Sequence, residues 1–388
     1  MNSFFTTPEL ISQGTYGCIF KPGMNCKGEI EKEGFITKLQ NDQETTQNEY
    51  AIGKILLETD ITMDHKKKKE YSERFAPILN SCPIQLGKIK ENFIEKCNIM
   101  KNNPLQTPFY SNQLRYVGKH TLYNFFDILK QEPNTLKIIY FCGVFHTYLL
   151  DSILLLKEKK IVHFDLKENN ILIDQKRHIP VIIDFGLSIN MDLLLGKKEM
   201  DPYLYTKTFF TYYDKYPPWC LEIVLISFIV NNTEVSSIWG GARKESSLDW
   251  SSKLVKKDDL FSIIDHYFKY NHVVKWISLE KKEESKKQWM DWIQHLYTEK
   301  KSSVSGKFMV NKLIPFWYSW DCFSISVLFF LLLRKFLPNH FLEYHQLLTE
   351  NILAIPTKRE TPDVFKKKLS NYFHSNTILQ EMKSLRSI

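Results

Sequence analysis

Ile161-Val162-His163-Phe164-Asp165-Leu166-Lys167-Glu168-Asn169-Asn170, continued by Ile171-Leu172-Ile173-Asp174 and by Pro180-Val181-Ile182-Ile183-Asp184-Phe185-Gly186, is the stretch that decides how this chain folds. A strongly apolar helical pattern from Leu136 to Lys157 leads into it and ends at Lys157-Glu158-Lys159-Lys160. The two Ile- and Val-rich runs after the polar segment predict short strands. The polar residues have a chemistry in common. Phosphoryl transfer to a hydroxyl needs a carboxylate to orient the hydroxyl and accept its proton, oxygen ligands for Mg2+, and a cation near the moving charge. Asp165, the pair Asn170 and Asp184, and Lys167 are the candidates for these parts, Asn170 and Asp184 lying 5 and 19 residues after Asp165. Oxygen donors suit Mg2+, which takes few protein ligands plus phosphate.

Towards the N-terminus, Ile11 to Phe20 reads as strand, tight loop, strand. Gly14 and Gly17 let a backbone approach phosphate oxygens without a Cβ in the way, although an ordinary hairpin uses glycines too. Phe35-Ile36-Thr37-Lys38-Leu39 predicts another strand. Lys38 either snorkels at an edge or reaches inward to phosphates. Glu44 to Leu57 predicts a helix whose apolar side is Tyr50, Ile52, Ile55, Leu56 and Leu57. Glu49 either holds Lys38 as an ion pair or simply favours the helix N-terminus, with Glu44 and Glu58 as other partners for the lysine.

Taken together, these residues resemble the eukaryotic-type serine/threonine protein kinases. His163-Phe164-Asp165-Leu166-Lys167 with Asn170 is similar to H-R-D-L-K-x-x-N, Asp184-Phe185-Gly186 to D-F-G, and Ser12-x-Gly14-x-x-Gly17-x-Ile19 to the family's Gly-rich loop. The resemblance implies an α+β, bilobal protein-kinase-like fold. It has a small β-rich N-lobe (1–117), a larger mainly α-helical C-lobe (118–388), and a hinge near Arg115 to Lys119. It implies ATP held under Ser12, Gly14, Gly17 and Ile19, with Lys38 and Glu49 orienting the phosphates. Asn170 and Asp184 would hold Mg2+, Asp165 would position the acceptor hydroxyl, and Lys167 would steady the γ-phosphate. Lys167 is the choice of the serine/threonine branch. Tyr216-Pro217-Pro218-Trp219-Cys220-Leu221-Glu222 resembles the end of the family's activation segment, Trp320-Asp321-Cys322-Phe323-Ser324 the start of its central helix, and Ile355-Pro356-Thr357-Lys358-Arg359 its late arginine segment. Asp321 is then expected to brace the 163–170 loop, and Glu222 to meet Arg359 in a buried ion pair. More narrowly, the Gly-Thr-Tyr-Gly-Cys-Ile-Phe-Lys-Pro run looks like divergent kinases of large nucleocytoplasmic DNA viruses. That resemblance implies a host cytoplasm or a virion, and otherwise a cytoplasmic protein.

The chain departs from the family pattern in places. Phe164 replaces an arginine that grips a phosphorylated loop, so control by that contact is not expected. Thr206, Thr208, Thr211, Tyr212 and Tyr213 are candidate phosphorylation sites in the segment. Ser12 replaces the first glycine. Glu222 and Asp321 are 99 residues apart, so about 231–312 is read as an insertion with 15 basic and 11 acidic side chains. Leu260, Ile263, Ile264, Tyr267 and Phe268 fit one helical face and Trp289, Trp292, Ile293 and Leu296 another. These are either helices packed on the lower lobe or a docking surface for a protein substrate or virion partner.

Composition sets the outer limits. The chain has 388 residues, 43% hydrophobic and 25% charged, with net charge +8. That excludes a disordered chain, a fibre and a disulfide miniprotein. The basic balance carries no nucleic-acid motif, and Lys66-Lys67-Lys68-Lys69 is read as a solvated loop. Seven scattered cysteines without a CxxC pair predict free thiols, no zinc site and a reducing compartment. No signal peptide is read at the start. The longest apolar stretch, Cys322 to Leu333, is about 12 residues, short of a membrane span and suited to a core helix. Two other readings share part of the pattern: a pseudokinase scaffold, favoured by Phe164 and Ser12, and a small-molecule kinase, disfavoured by Glu222, Asp321 and Arg359.

Overall fold

A computed structural model of the chain describes residues 9–14, 17–27, 29–30, 34–57, 65–84, 95–101, 108–131, 135–231, 248–300, 303–375 and 378. It is an α+β structure, rich in strands in its N-terminal part and mostly helical afterwards. The chain divides into two units, one of Met1–Leu122 with Asn169–Ser188, the other of Tyr123–Glu168 with Ile189–Ile388.

The first unit is built on a five-stranded antiparallel sheet. Its strands run in the order Glu9–Gln13, Cys18–Lys21, Phe35–Gln40, Phe109–Arg115, Ile78–Ile84. Alternation along these strands sends Phe20, Leu39, Ile84 and Phe109 into one core with Met24 and Met100. The helix Gln43–Leu57 buries Thr46, Glu49, Ile52, Gly53 and Leu56, a spacing of three to four residues along one face. At Gly53 the helix crosses so close to the strand Ile78–Ile84 that a side chain would strike the Ile78 carbonyl. Residues 169–188 form an antiparallel pair of their own, Ile171–Ile173 with Pro180–Ile183, and belong to this unit through two further links. Phe75–Ala76 runs parallel to the second of these strands, and the Ile173 amide donates to the His120 carbonyl.

Two expectations are corrected in this unit. Cys18 is disulfide-bonded to Cys97, and Cys26 to Cys82, across sequence separations of 79 and 56 residues. The partners are brought together by the sheet and its loops, which short-range cysteine spacing does not reveal. The cysteine argument for a reducing compartment therefore loses its basis, while Cys142, Cys220 and Cys322 stay free and buried. The lysine run is not a loop but part of the helix His65–Arg74. That helix is held by buried Tyr71 and by the i,i+4 pairs Lys69–Glu73 and Glu70–Arg74.

The second unit is organised around three apolar helices, Thr135–Glu158, Leu221–Val230 and Trp320–Phe336. Every residue of Leu221–Val230 is buried, as are 14 of Trp320–Phe336. A helix hydrophobic all round belongs in a core. Leu342–Leu353 and Pro362–Phe373 complete the packing. His146 stacks on Phe329 with ring centroids 4.3 Å apart and shares a 2.7 Å hydrogen bond with the Tyr344 hydroxyl. Two stretches, Leu136–Glu158 and Gly306–Phe336, are long and apolar enough to cross a membrane by length and composition, beyond the 12-residue run expected. Of the 18 most apolar consecutive residues in each, 56% and 78% are buried within the protein.

Within the expected insertion, the described residues form the helices Lys257–Tyr270, Leu279–Lys300 and Gly306–Leu313. Residues 232–247 and the side chains of 248 and 249 lie outside the described ones. The anticipated faces are turned inward: Leu260, Ile263, Ile264, Tyr267 and Phe268 are buried, as are Trp289, Ile293 and Leu296, with Trp292 half-buried.

Candidate functional site

The residues singled out in the sequence fall into two sets, one in each unit. In the first, the hairpin Glu9–Gln13 to Cys18–Lys21 carries Ser12 opposite Ile19. The Gly14 amide donates to the Gly17 carbonyl at 2.9 Å and closes the turn, while Thr15 and Tyr16 lie outside the described residues. A side chain at Gly17 would sit 2.8 Å from the Leu39 carbonyl, so the neighbouring strand itself demands glycine there. At Gly14 nothing lies within 4 Å of the position a Cβ would take.

Lys38 points inward. Its side chain is 11% exposed, and Nζ donates to Glu49 Oε2 at 2.9 Å and to Asp184 Oδ1 at 2.8 Å. Burial alone would lower the Lys38 pKa, but the Glu49 and Asp184 carboxylates outweigh it and hold the ammonium above its ordinary value. Burial raises the Glu49 pKa against the opposing pull of Lys38. Glu49 is therefore the partner of the lysine, Glu44 is exposed at the start of the helix, and Glu58 lies outside the described residues.

The same helix secures the residues after Asp184. Asn48 Nδ2 donates to the carbonyls of Gly186 at 3.3 Å and Ser188 at 2.9 Å, and Glu49 accepts from the Phe185 amide. Asp184 itself has φ +62°, a left-handed conformation costly for a residue with a Cβ. Asn170 directly precedes Ile171, and Asp184 directly follows Ile183. With Ile171 opposite Ile182, the two oxygen-bearing side chains belong to the same end of the hairpin. An amide and a carboxylate at one strand end fit Mg2+ on a polyphosphate, which takes one or two protein ligands and leaves the rest to phosphate and water. No group of three or more His, Cys, Asp or Glu side chains able to hold a metal occurs among the described residues. Arg115 ends the strand before Tyr116–Lys119, where a side chain at Gly118 would meet the Ile173 carbonyl at 2.8 Å.

The second unit holds Asp165 and Lys167. Lys167 Nζ lies 3.0 Å from Asp165 Oδ2. The loop that carries them is held by Asp321, whose carboxylate accepts the backbone amides of His163 at 2.7 Å and Phe164 at 3.1 Å. Burial pushes the Asp321 pKa up, and those amides and His163 work against it. Phe164 has φ +69° and is buried among Phe209, Trp219 and Trp320. Its carbonyl accepts from Trp219 Nε1 at 3.0 Å. Where the resemblance has a charged side chain, this loop has an aromatic anchor. Glu222 and Arg359 form the anticipated buried ion pair, and Arg359 also donates to the Ala354 carbonyl at 2.9 Å.

Sequence reasoning gave no part to Tyr216 beyond its place in a motif. Its hydroxyl donates to Asp165 Oδ1 and accepts from Lys167 Nζ at 3.0 Å. Asp214, two residues earlier, is hydrogen-bonded to His266 of the helix Lys257–Tyr270. The aromatic density of Tyr212 to Trp219 was visible, but no spacing rule links it to Asp165. The chain matches no protein-family model, and no curated protein matches it.

Proposed function

We propose that this chain is an ATP- and Mg2+-dependent protein kinase that transfers the γ-phosphate to serine or threonine hydroxyls, with the bilobal fold of that family. The observation that carries the reading is Lys38, joined at once to Glu49 and Asp184. A buried ammonium fixed by two carboxylates is a preorganised counter-charge for phosphate oxygens. The second set supplies the acceptor chemistry. Asp165 orients the acceptor hydroxyl and takes its proton as the oxygen bonds to the γ-phosphorus. The bond from that phosphorus to the β–γ bridging oxygen breaks, and ADP leaves with its electron pair. Lys167 balances the charge that gathers on the transferring group. Asn170 and Asp184 would hold Mg2+, which when bound neutralises phosphate charge. Gly14 and Gly17, with Ser12 and Ile19 behind them, would cover the phosphates.

The Glu222–Arg359 pair and the hold of Asp321 on the 163–164 amides support a protein acceptor over a small molecule, because they stiffen a platform larger than a metabolite needs. The kinship with kinases of large DNA viruses, and with it a host-cytoplasm or virion setting, is part of the same proposal and rests on residues 14–22. The test is radiolabelled ATP with purified protein and a generic basic protein substrate, wild type beside Asp165→Asn, with and without Mg2+. Label on serine or threonine from wild type alone, dependent on Mg2+, is the expected result. Mg2+-dependent nucleotide binding without label would favour a scaffold instead.

A further inference from the structure

The inserted helix Lys257–Tyr270 does something more specific than fill space. Its last turn and the residue after it reach the segment that carries Tyr216. His266 Nδ1 is hydrogen-bonded to the Asp214 carboxylate, and both side chains are buried. Asn271 Nδ2 donates to the Asp214 carbonyl at 3.1 Å, while its Oδ1 accepts from the Val273 and Val274 amides. The Tyr267 hydroxyl donates to the Trp219 carbonyl at 3.3 Å. Three insertion residues thus hold the segment at Asp214 and Trp219, on either side of Tyr216.

What lies between those two points is the hydroxyl bonded to Asp165 and Lys167. The Tyr216 ring packs edge-on against Trp219 with centroids 5.3 Å apart, and Trp219 is fixed in turn to the Phe164 carbonyl. Ser324 Oγ donates to the Pro218 carbonyl at 2.7 Å. The segment is clamped from the inserted helix on one side and from the 163–165 loop on the other. Buried hydrogen bonds of this kind cost the full desolvation of the orphaned partner when broken, so the clamp resists opening.

We propose that His266, Tyr267 and Asn271 form a permanent brace on residues 214–219, one that positions the Tyr216 hydroxyl and, through it, the Asp165 carboxylate. They are positioning residues: none touches Asp165. The insertion thereby takes over the task that a phosphate-gripping arginine has in the resemblance, a task closed to Phe164. The functional half of this inference rests on the kinase reading; the brace itself does not.

The test separates the two. Amide hydrogen exchange of residues 211–220 is followed in wild type, His266→Ala and His266→Asn, with Trp320–Phe336 as internal reference. Exchange should rise about tenfold or more in His266→Ala, roughly the loss of one buried hydrogen bond, and return towards wild type in His266→Asn, whose amide can still donate to Asp214. Turnover is measured in parallel. His266→Ala and Tyr216→Phe should each lower kcat about tenfold with the KM for ATP unchanged, and the double variant should be little worse than either, because both act through one path. Unchanged exchange in His266→Ala, no rescue by His266→Asn, or kcat losses that multiply would overturn the proposal. If wild type transfers no phosphate at all, the kinase reading fails and the brace is judged on exchange alone. Should His266→Ala not fold, Tyr267→Phe, which loses one hydroxyl, carries the same comparisons.

Discussion

Lys38 Nζ lies 2.8 Å from Asp184 Oδ1, although 146 residues separate them in sequence. The same ammonium is 2.9 Å from Glu49. Removing it leaves a fully buried carboxylate without its cation, so Lys38→Ala should cost about 3 kcal/mol or more of stability. Urea unfolding reads that cost, and a nucleotide titration on the same variant should show ATP affinity reduced. Glu49→Gln should be milder on stability, because the amide still accepts from Lys38 while bringing no buried charge.

Asp165 and Asp184 should separate cleanly. Asp165→Asn keeps the shape of the loop but cannot accept a proton, so turnover should fall by about 100-fold or more with ATP affinity unchanged. Asp184→Ala should lose the Mg2+-dependent part of nucleotide binding, read by calorimetry with and without the metal. Undiminished phosphorylation by both purified variants would remove the proposed function.

His146 ties part of the protein's stability to pH. Burial depresses its pKa from 6.5 to about 3, so it stays neutral in the fold while an unfolded histidine protonates below pH 6.5. Between those values the unfolded chain binds the extra proton. The stabilisation is therefore complete above pH 6.5 and drains as pH falls towards 3, by up to about 1.4 kcal/mol per pH unit. His146→Gln should flatten the fall of the urea midpoint from pH 7 to pH 4.5; parallel slopes in the two proteins would refute the assignment.

The disulfides Cys18–Cys97 and Cys26–Cys82 lie wholly in the first unit. Closing a loop of 79 residues removes unfolded-state entropy worth about 4.5 kcal/mol on the chain-entropy account. Reduction, or the double change Cys18→Ser and Cys97→Ser, should lower the unfolding midpoint reported by the first unit and leave that of the second nearly unmoved. Hydrogen exchange, resolved along the chain, tells the two apart.

Much of the candidate site was legible because its residues sit in short motifs. Asp165, Lys167, Asn170 and Asp184 are spaced by strands and turns, and Glu49, near the start of the helix read over 44–57, was a candidate partner for Lys38 through its place in the motif. The Glu222–Arg359 pair was legible through motif order alone. Other features depend on contacts that no local pattern encodes. The cysteine partners meet through the sheet, across tens of residues. Nothing in the order of residues shows that 169–188 joins the first unit, because that follows from strand pairing with Phe75–Ala76 and from the His120 carbonyl. The helices Lys257–Tyr270 and Leu279–Lys300 announced their apolar faces, but a face does not say what it covers, and the three residues that reach 214–219 are two polar side chains and a tyrosine hydroxyl.

Phe164 and its ring of Phe209, Trp219 and Trp320 carry a last consequence. An anchor made of aromatic surface has no covalent mark that a phosphatase could erase. If the chain turns over ATP as proposed, this loop would stand ready without a phosphate on the segment beside it, and any control would have to act at another place in the molecule.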